Sequence, residues 1–497
     1  DDALGRVAAA LKRFAPEQVA VIASPRGTNE DNYVAAKFAR TVLKTGNVDS
    51  GLNTVPEVFA AMRQRLGAAA ASGSIWQLER SKCVLVVSGN PTEEQNVLAV
   101  PVKKAARAGA DIIVVDPRET ELTRYASVWL RVRPGTETLA LVAMARVVLD
   151  EGLENKEFVS ARTDGLGGLK ESLAAQDIAA AARECGVSED QLRKAARIYA
   201  KSAPAAALLG VDTVTREGRA PLADAVINLA LLTGNVGREA GGVFPLFGGA
   251  NTQGSVDVGC EPGPQGVGAA HLASAIRAGR IKAAIIMADG LNPGAEGLDG
   301  LDAALGRLEY LAVSAVFDTE ATAGAHVVLP AAPYTEQEGT VTNLERRVQL
   351  VRRVSAPKNE ERTGWETLGA VARKFGAPGF DFARPADVFA EIKAQLPDYS
   401  GLTYERLASG GVQWPCRAEN GAGTPVLHAA PASDTRFELA GPGLSGSPDS
   451  GRQGAPFVLA PGRVLAQPER DAGIVRKGDM NYVGREEIIS IHPADAA

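Results

Sequence analysis

Cysteine is scarce and scattered in this chain of 497 residues: Cys83, Cys185, Cys260 and Cys416 form no CxxC pair and have no histidine at a ligand spacing. An iron-sulfur cluster needs thiolates in closely spaced sets, so none is expected within the chain. Reduced, partly buried thiols are the simplest reading. There are only four histidines, His271, His326, His428 and His492, and no two are close in sequence. Without a neighbouring partner to make one a general base, they read as structural or surface residues. Long apolar runs are missing as well. The stretches 205–210 and 283–288 fall far short of the ~20 residues that a membrane span requires. A basic excess is absent, the net charge being −6, and the cluster Arg346, Arg347, Arg352, Arg353 is too short to mark a nucleic-acid partner. No initiator Met is present. Asp1 leads directly into the helical pattern Leu4, Val7, Ala8, Leu11, so the chain is expected to begin partway through a longer polypeptide.

What is present reads as a globular α/β protein. Hydrophobic residues make up 45% and charged residues 23%, and the length calls for two to four domains. Buried strands are expected at 18–23, 83–88, 111–115, 205–209, 283–287 and 310–315, because these runs are short, continuous and apolar. Helical stretches follow several of them, at 32–43, 96–108 and 221–232. That alternation predicts doubly wound parallel sheets with crossover helices, and it makes the loops after the strands the default ligand sites. One α/β domain is expected from 1–53 with 266–377, and a second, 54–265, is inserted into it. The segment 378–456 is expected to be an irregular crossing segment, its part 400–456 being rich in Gly, Pro, Ser and Asp with little periodicity. Residues 457–497 carry two strand-like runs, at 457–465 and 487–492. Trp76, Trp129, Trp365 and Trp414 are expected to be packing residues.

Three loops stand where an α/β fold holds a nucleotide. Ser88-Gly89-Asn90-Pro91-Thr92-Glu93 follows a strand and opens a helix, so its N–H groups are placed to face a phosphate. Asp116-Pro117-Arg118 ends the next strand, and a carboxylate at such a tip accepts paired hydrogen bonds from a ring amidine such as that of guanine. Arg133-Pro134-Gly135-Thr136-Glu137 precedes a helix, with Thr136 as its expected cap.

Read in order, these loops resemble the molybdopterin oxidoreductases, especially metal-dependent formate dehydrogenase catalytic subunits. The matching positions run from Asn90, Glu93, Asp116, Arg118, Gly135 and Thr136 through Gly237, Asn251, Gly254, Asn292, Thr319 and Asn343, and reach the segments 411–416 and 423–428. The resemblance implies that such loops hold two guanine-dinucleotide pterins around molybdenum or tungsten. It also exposes losses. Where the family carries a Cys or selenocysteine shortly after an Asn-Val-Asp triplet, Asn47-Val48-Asp49 is followed by Ser50-Gly51-Leu52-Asn53-Thr54, which offers no thiolate. The second pterin position is thinned to Phe247-Gly248-Gly249-Ala250-Asn251, a strand ends in Ser314-Ala315, and His326 stands at a usually acidic position. The terminal β-barrel is expected to be a truncated remnant.

These losses resemble those of the large iron-sulfur subunit of respiratory complex I. The expectation is therefore a non-catalytic, formate dehydrogenase-like scaffold domain in a NADH-quinone oxidoreductase or related NAD-linked complex. On this reading the chain has no catalytic residue, metal ligand or cofactor of its own, and its iron-sulfur clusters lie in preceding segments or partner subunits. It would sit on the cytoplasmic peripheral arm of a membrane-associated complex. Two alternatives stand beside it. One is an active molybdenum or tungsten enzyme binding molybdopterin guanine dinucleotide; the other is a stand-alone guanine-nucleotide-binding module.

Overall fold

The computed structural model describes residues 1–51, 55–287, 300–318, 320–429, 435–441, 443, 491 and 495. The terminal strand-like runs, His492 and the site positions Asn292 and Thr319 lie outside them.

Two five-stranded sheets, each wholly parallel, organise the chain. Across the first, the strands lie in the order Val327–Pro330, Tyr310–Ala315, Ala283–Met287, Val19–Ile22, Val48–Asp49. Across the second, they lie in the order Ala126–Leu130, Asp111–Val115, Cys83–Val87, Ala205–Leu209, Gly242–Pro245. The central strands are apolar throughout because helices cover both faces: every residue of Cys83–Val87 and Ala205–Leu209 is buried. Each fully buried Val or Leu contributes about 1.5–3 kcal/mol, which outweighs the modest strand propensity of the alanines in Ala205–Leu209. In each sheet the chain reverses its direction of winding beside the first-formed strand. One reversal falls between Val19–Ile22 and Ala283–Met287, the other between Cys83–Val87 and Ala205–Leu209. The carboxyl ends of those strand pairs are the places where loops diverge and leave a crevice.

Three local readings are corrected. The helix expected at 32–43 starts at Asn29, because the Thr28 side chain accepts from the Asp31 N–H while Asp31 accepts from the Thr28 N–H; it passes into a wider turn over Phe38–Leu43. The helix expected from Pro221 begins at Arg216 and carries that proline inside it. Eleven of its side chains are buried, and that packing outweighs the one ladder bond a proline removes. Inside the segment expected to be irregular lies a helix, Pro385–Gln395, with Pro385 at its first turn and Asp387 accepting from the Arg384 N–H at 2.9 Å. Val388, Phe389 and Ile392 form its buried stripe. Among the described residues, no helix is long and apolar enough to cross a membrane.

A three-stranded antiparallel sheet, Gly339–Thr342, Arg347–Val351 and Val412–Gln413, joins the late segment to the body. Arg346 enters the interior at the turn between its first two strands.

Candidate functional site

At the winding reversal of the second sheet, three strand ends and one helix start contribute polar side chains. Ser88 follows Cys83–Val87 in a left-handed conformation, with φ of 47°. Its hydroxyl is hydrogen-bonded to that of Thr213 at 2.5 Å and accepts from the Thr213 N–H at 3.0 Å. The chain can pass here because Gly210 faces Ser88: a Cβ on Gly210 would lie 2.2 Å from the Ser88 carbonyl oxygen. Thr213 in turn donates to Glu137 Oε1 at 2.7 Å. Glu137 is fully buried, and its Oε2 has no hydrogen-bond partner among the described residues. Burial pushes its carboxyl up to about 7, against the pull of the Thr213 hydroxyl.

Asp116 ends the neighbouring strand and is completely buried. Asp116 and Arg118 bond each other: Oδ1 accepts from the Arg118 backbone N–H at 2.8 Å and from Nε at 3.0 Å, while Oδ2 accepts from a terminal guanidinium nitrogen at 2.9 Å. That same nitrogen reaches Asp212 Oδ2 at 3.1 Å. One guanidinium thus lies between two carboxylates from different strand ends, a paired geometry that lowers the cost of burying charge. Asp116→Ala is expected to lower unfolding free energy by about 1–3 kcal/mol, read by urea titration, because the carboxylate that accepts from the Arg118 backbone and guanidinium is lost. A change below about 0.5 kcal/mol would show that Arg118 simply re-pairs.

The other expected site residues are placed as follows. Asn90 precedes a helix of only four residues, Pro91–Glu94, and the Glu93 and Glu94 N–H groups donate back to its carbonyl. Those two N–H groups are therefore engaged within the turn. The Asn90 side chain accepts from the Thr92 hydroxyl at 2.7 Å. Gly135 adopts φ of 85°, and Thr136 occupies the cap position of helix Glu137–Asp150 without capping it: its hydroxyl donates to the Arg133 carbonyl at 2.7 Å. Gly237 passes close to the 428 segment, where a Cβ would fall 2.5 Å from the His428 carbonyl oxygen. Asn251 donates to the Gly27 carbonyl at 2.8 Å and accepts from the Thr342 N–H at 2.7 Å. Gly254 leaves room for Asn29 and Asn251, and Asn343 organises the turn by accepting from the Glu345 and Arg347 N–H groups. Asn251 and Gly254 thus meet around Asn29, while Asn90, Asp116 and Thr136 belong to the second sheet's crevice.

After the Asn-Val-Asp triplet, Ser50 is buried and its hydroxyl accepts from Ser255 at 3.0 Å. Asp49 accepts from the Ala269 N–H at 2.7 Å, and burial pushes its carboxyl up to about 7. Cys260, remote in sequence, packs nearby: its N–H donates to the Ser255 carbonyl. Burial and the adjacent Asp49 push this thiol well up, so it is a neutral thiol and not a thiolate. All four cysteines are buried and free. Among the described residues no group of three or more His, Cys, Asp or Glu side chains could hold a metal ion. Trp129 donates to the Asp116 carbonyl at 2.9 Å and Trp414 packs on Tyr399, whereas Trp76 is half exposed and is no packing residue.

Residues 1–374 match the family profile described as molybdopterin oxidoreductase. The chain is 33% identical to the F420-dependent formate dehydrogenase subunit alpha of Methanocaldococcus jannaschii, over 99% of this chain and 77% of that protein. It is 32% identical to formate dehydrogenase H of Escherichia coli, over 86% of this chain and 65% of that protein. The NADPH-Fe(3+) oxidoreductase subunit alpha of Geobacter sulfurreducens is 34% identical, over 85% of this chain and 54% of that protein. In fold the chain is similar to acetylene hydratase from Pelobacter acetylenicus, with a TM-score of 0.68 at 18% identity, covering 88% of this chain and 66% of that one. With parallel sheets in the same fold and a family match over three quarters of its length, the chain belongs to the molybdopterin oxidoreductase family.

Proposed function

We propose that the chain is a formate dehydrogenase-like subunit that binds a guanine-dinucleotide pterin and serves two-electron redox chemistry together with partner subunits. The similarity to a formate dehydrogenase alpha subunit over 99% of the chain carries this reading. It favours the active alternative over the expectation of a chain with no cofactor of its own.

The crevice residues fit part of such a group. A guanine edge presents ring and amino N–H donors, and the second sheet's crevice is rich in acceptors: Asp116, Asp212 and the open Oε2 of Glu137. Arg118, between the two aspartates, is the cation that would turn toward an entering phosphate. When bound, the group supplies two-electron transfer at its metal; Asp116, Asp212 and Glu137 would orient the nucleotide end. The metal itself finds no thiolate: Ser50 is an oxygen donor and Cys260 is held neutral, so no chemical step through a metal is derived from these residues. That observation favours the second reading, a scaffold domain of a larger electron-transfer complex of the complex I type.

Molybdenum, tungsten and pterin analysis of the purified complex, with formate-driven dye reduction, separates the two. A pterin dinucleotide at about one or more per chain is expected, and Asp116→Ala is expected to lower that content. A pterin-free, metal-free complex that still transfers electrons would sink this reading in favour of the scaffold.

A further inference from the structure

A second concavity lies apart from the crevice just described. A cleft of about 630 Å³ runs along one side of helix Gly364–Phe375, bounded by residues 353–362 and 382–383. Trp365, 5% exposed, lies on its floor with the buried Ala370 and the half-buried Phe382. The Trp365 indole N–H is buried and finds no hydrogen-bond acceptor among the described residues.

The charges around the cleft are unevenly satisfied. Its carboxylates are engaged locally. Glu366 Oε2 accepts from the Thr363 N–H and hydroxyl, both at 2.9 Å, and Glu361 accepts from the Asn359 N–H and amide. Asp1 lies 3.6 Å from Lys374. Among the described residues, no hydrogen bond or ion pair engages the guanidinium of Arg353 or Arg362, and Arg373 donates to the Phe380 carbonyl. Arg362 is fixed by its own backbone: its N–H donates to the Pro330 carbonyl and its carbonyl accepts from the Ala332 N–H. It also lines a much smaller cavity, about 50 Å³, at the carboxyl ends of the first sheet beside Ser24 and Ser314. Like charges gathered on a concave wall without partners raise the local potential and draw anions. A guanidinium fork matches phosphate oxygens in pairs, and an aromatic floor takes a flat ring.

We propose that this cleft binds a ring-bearing polyanion of the nucleotide class, with its phosphates on Arg353 and Arg362 and its ring against Trp365 and Phe382. The assignment rests on the cleft of helix Gly364–Phe375 alone and is independent of the pterin reading, whose test concerns Asp116 in the other sheet.

Titration calorimetry of the purified protein with ADP, inorganic pyrophosphate and adenosine tests it. ADP is expected to bind about tenfold or more tightly than either fragment, and Arg353→Glu is expected to weaken it by at least about tenfold. Because Arg353 is exposed and unpaired, that variant should keep the parent melting temperature. Asp116→Ala, in the other crevice, is expected to leave ADP affinity unchanged. No ADP binding at millimolar concentration, or binding that Arg353→Glu leaves intact, would overturn the proposal. Pyrophosphate binding as tight as that of ADP would overturn the ring contact. A loss of ADP binding in Asp116→Ala alone would move the ligand to the other crevice and overturn this site.

Discussion

Arg346→Ala is expected to lower the unfolding free energy by about 3–5 kcal/mol, among the largest effects of any single substitution here. The residue is completely buried, and its guanidinium serves four carbonyls at once. Nε donates to Ala71 at 2.8 Å, one terminal nitrogen donates to Trp414 and to Thr424 at 2.9 Å, and the other reaches Pro425 at 3.2 Å. The plane also lies against the Trp414 ring, 5.6 Å from its centroid. Each buried carbonyl left without a donor costs about 1–3 kcal/mol, and alanine would strand them together in a space too apolar for water to repair every loss. Burial pushes the guanidinium down to about 10, with Asp257 and Glu345 opposing, so it remains charged at neutral pH. Lysine offers a single ammonium in place of a fork and is expected to recover less than half of the loss. Denaturant titration reads the stability. Limited proteolysis reads the cause, since Arg346 adds to the strand pairing that holds residues 411–427 on the three-stranded sheet; cleavage confined to that stretch is the expected pattern. A loss under about 1 kcal/mol would show that the segment is held by other means.

That residue also shows where sequence reading stopped. In the chain, Arg346 stands beside Arg347 and reads as part of a short basic cluster; in the fold, Arg347 pairs with Glu345 while Arg346 turns inward. Nothing local distinguishes them, because the four carbonyls come from positions far apart in sequence. Strands were legible for the opposite reason. Asp111–Val115, Ala205–Leu209, Ala283–Met287 and Tyr310–Ala315 have the bounds read from the sequence, since a parallel strand covered on both faces must be apolar at every position. Helix Pro385–Gln395 was hidden by the Gly and Pro around it, which set composition without setting periodicity. At the crevice, Asp116 and Arg118 could be read together because only Pro117 lies between them, and their bonds to each other are local. Asp212, Thr213 and Glu137 complete the same cluster and were missed as site residues. Asp212 and Thr213 follow a strand end just as Asp116 does, and that repeated placement is the signal that would have found them.

Stability is expected to fall as the pH rises from about 4.5 to about 7, and Glu30→Gln is expected to flatten part of that slope. Glu30 is wholly enclosed: Oε2 accepts from the Thr340 N–H at 2.8 Å, and Oε1 accepts from the Thr340 hydroxyl at 3.0 Å and from Tyr404 at 2.8 Å. Burial pushes its carboxyl up to about 7 against those three bonds. Asp49, Asp257 and Glu137 are pushed to about the same value, again chiefly by burial. Since the folded value lies above the unfolded one, the native state holds a proton that the unfolded chain has already released across this window. The contribution is therefore fully present below about 4.5 and lost by the time the pH passes about 7. One pH unit of displacement corresponds to about 1.4 kcal/mol, so each such group accounts for up to about 3–4 kcal/mol. Glutamine keeps an acceptor for the Thr340 N–H and never carries charge. The variant is thus expected to match the parent near pH 5 and to exceed it by about 1–3 kcal/mol near pH 8. Urea titrations at the two pH values check this. A difference between variant and parent that is the same at both would mean that Glu30 does not titrate in this window, and that its hydrogen bonds hold it ionised despite its burial.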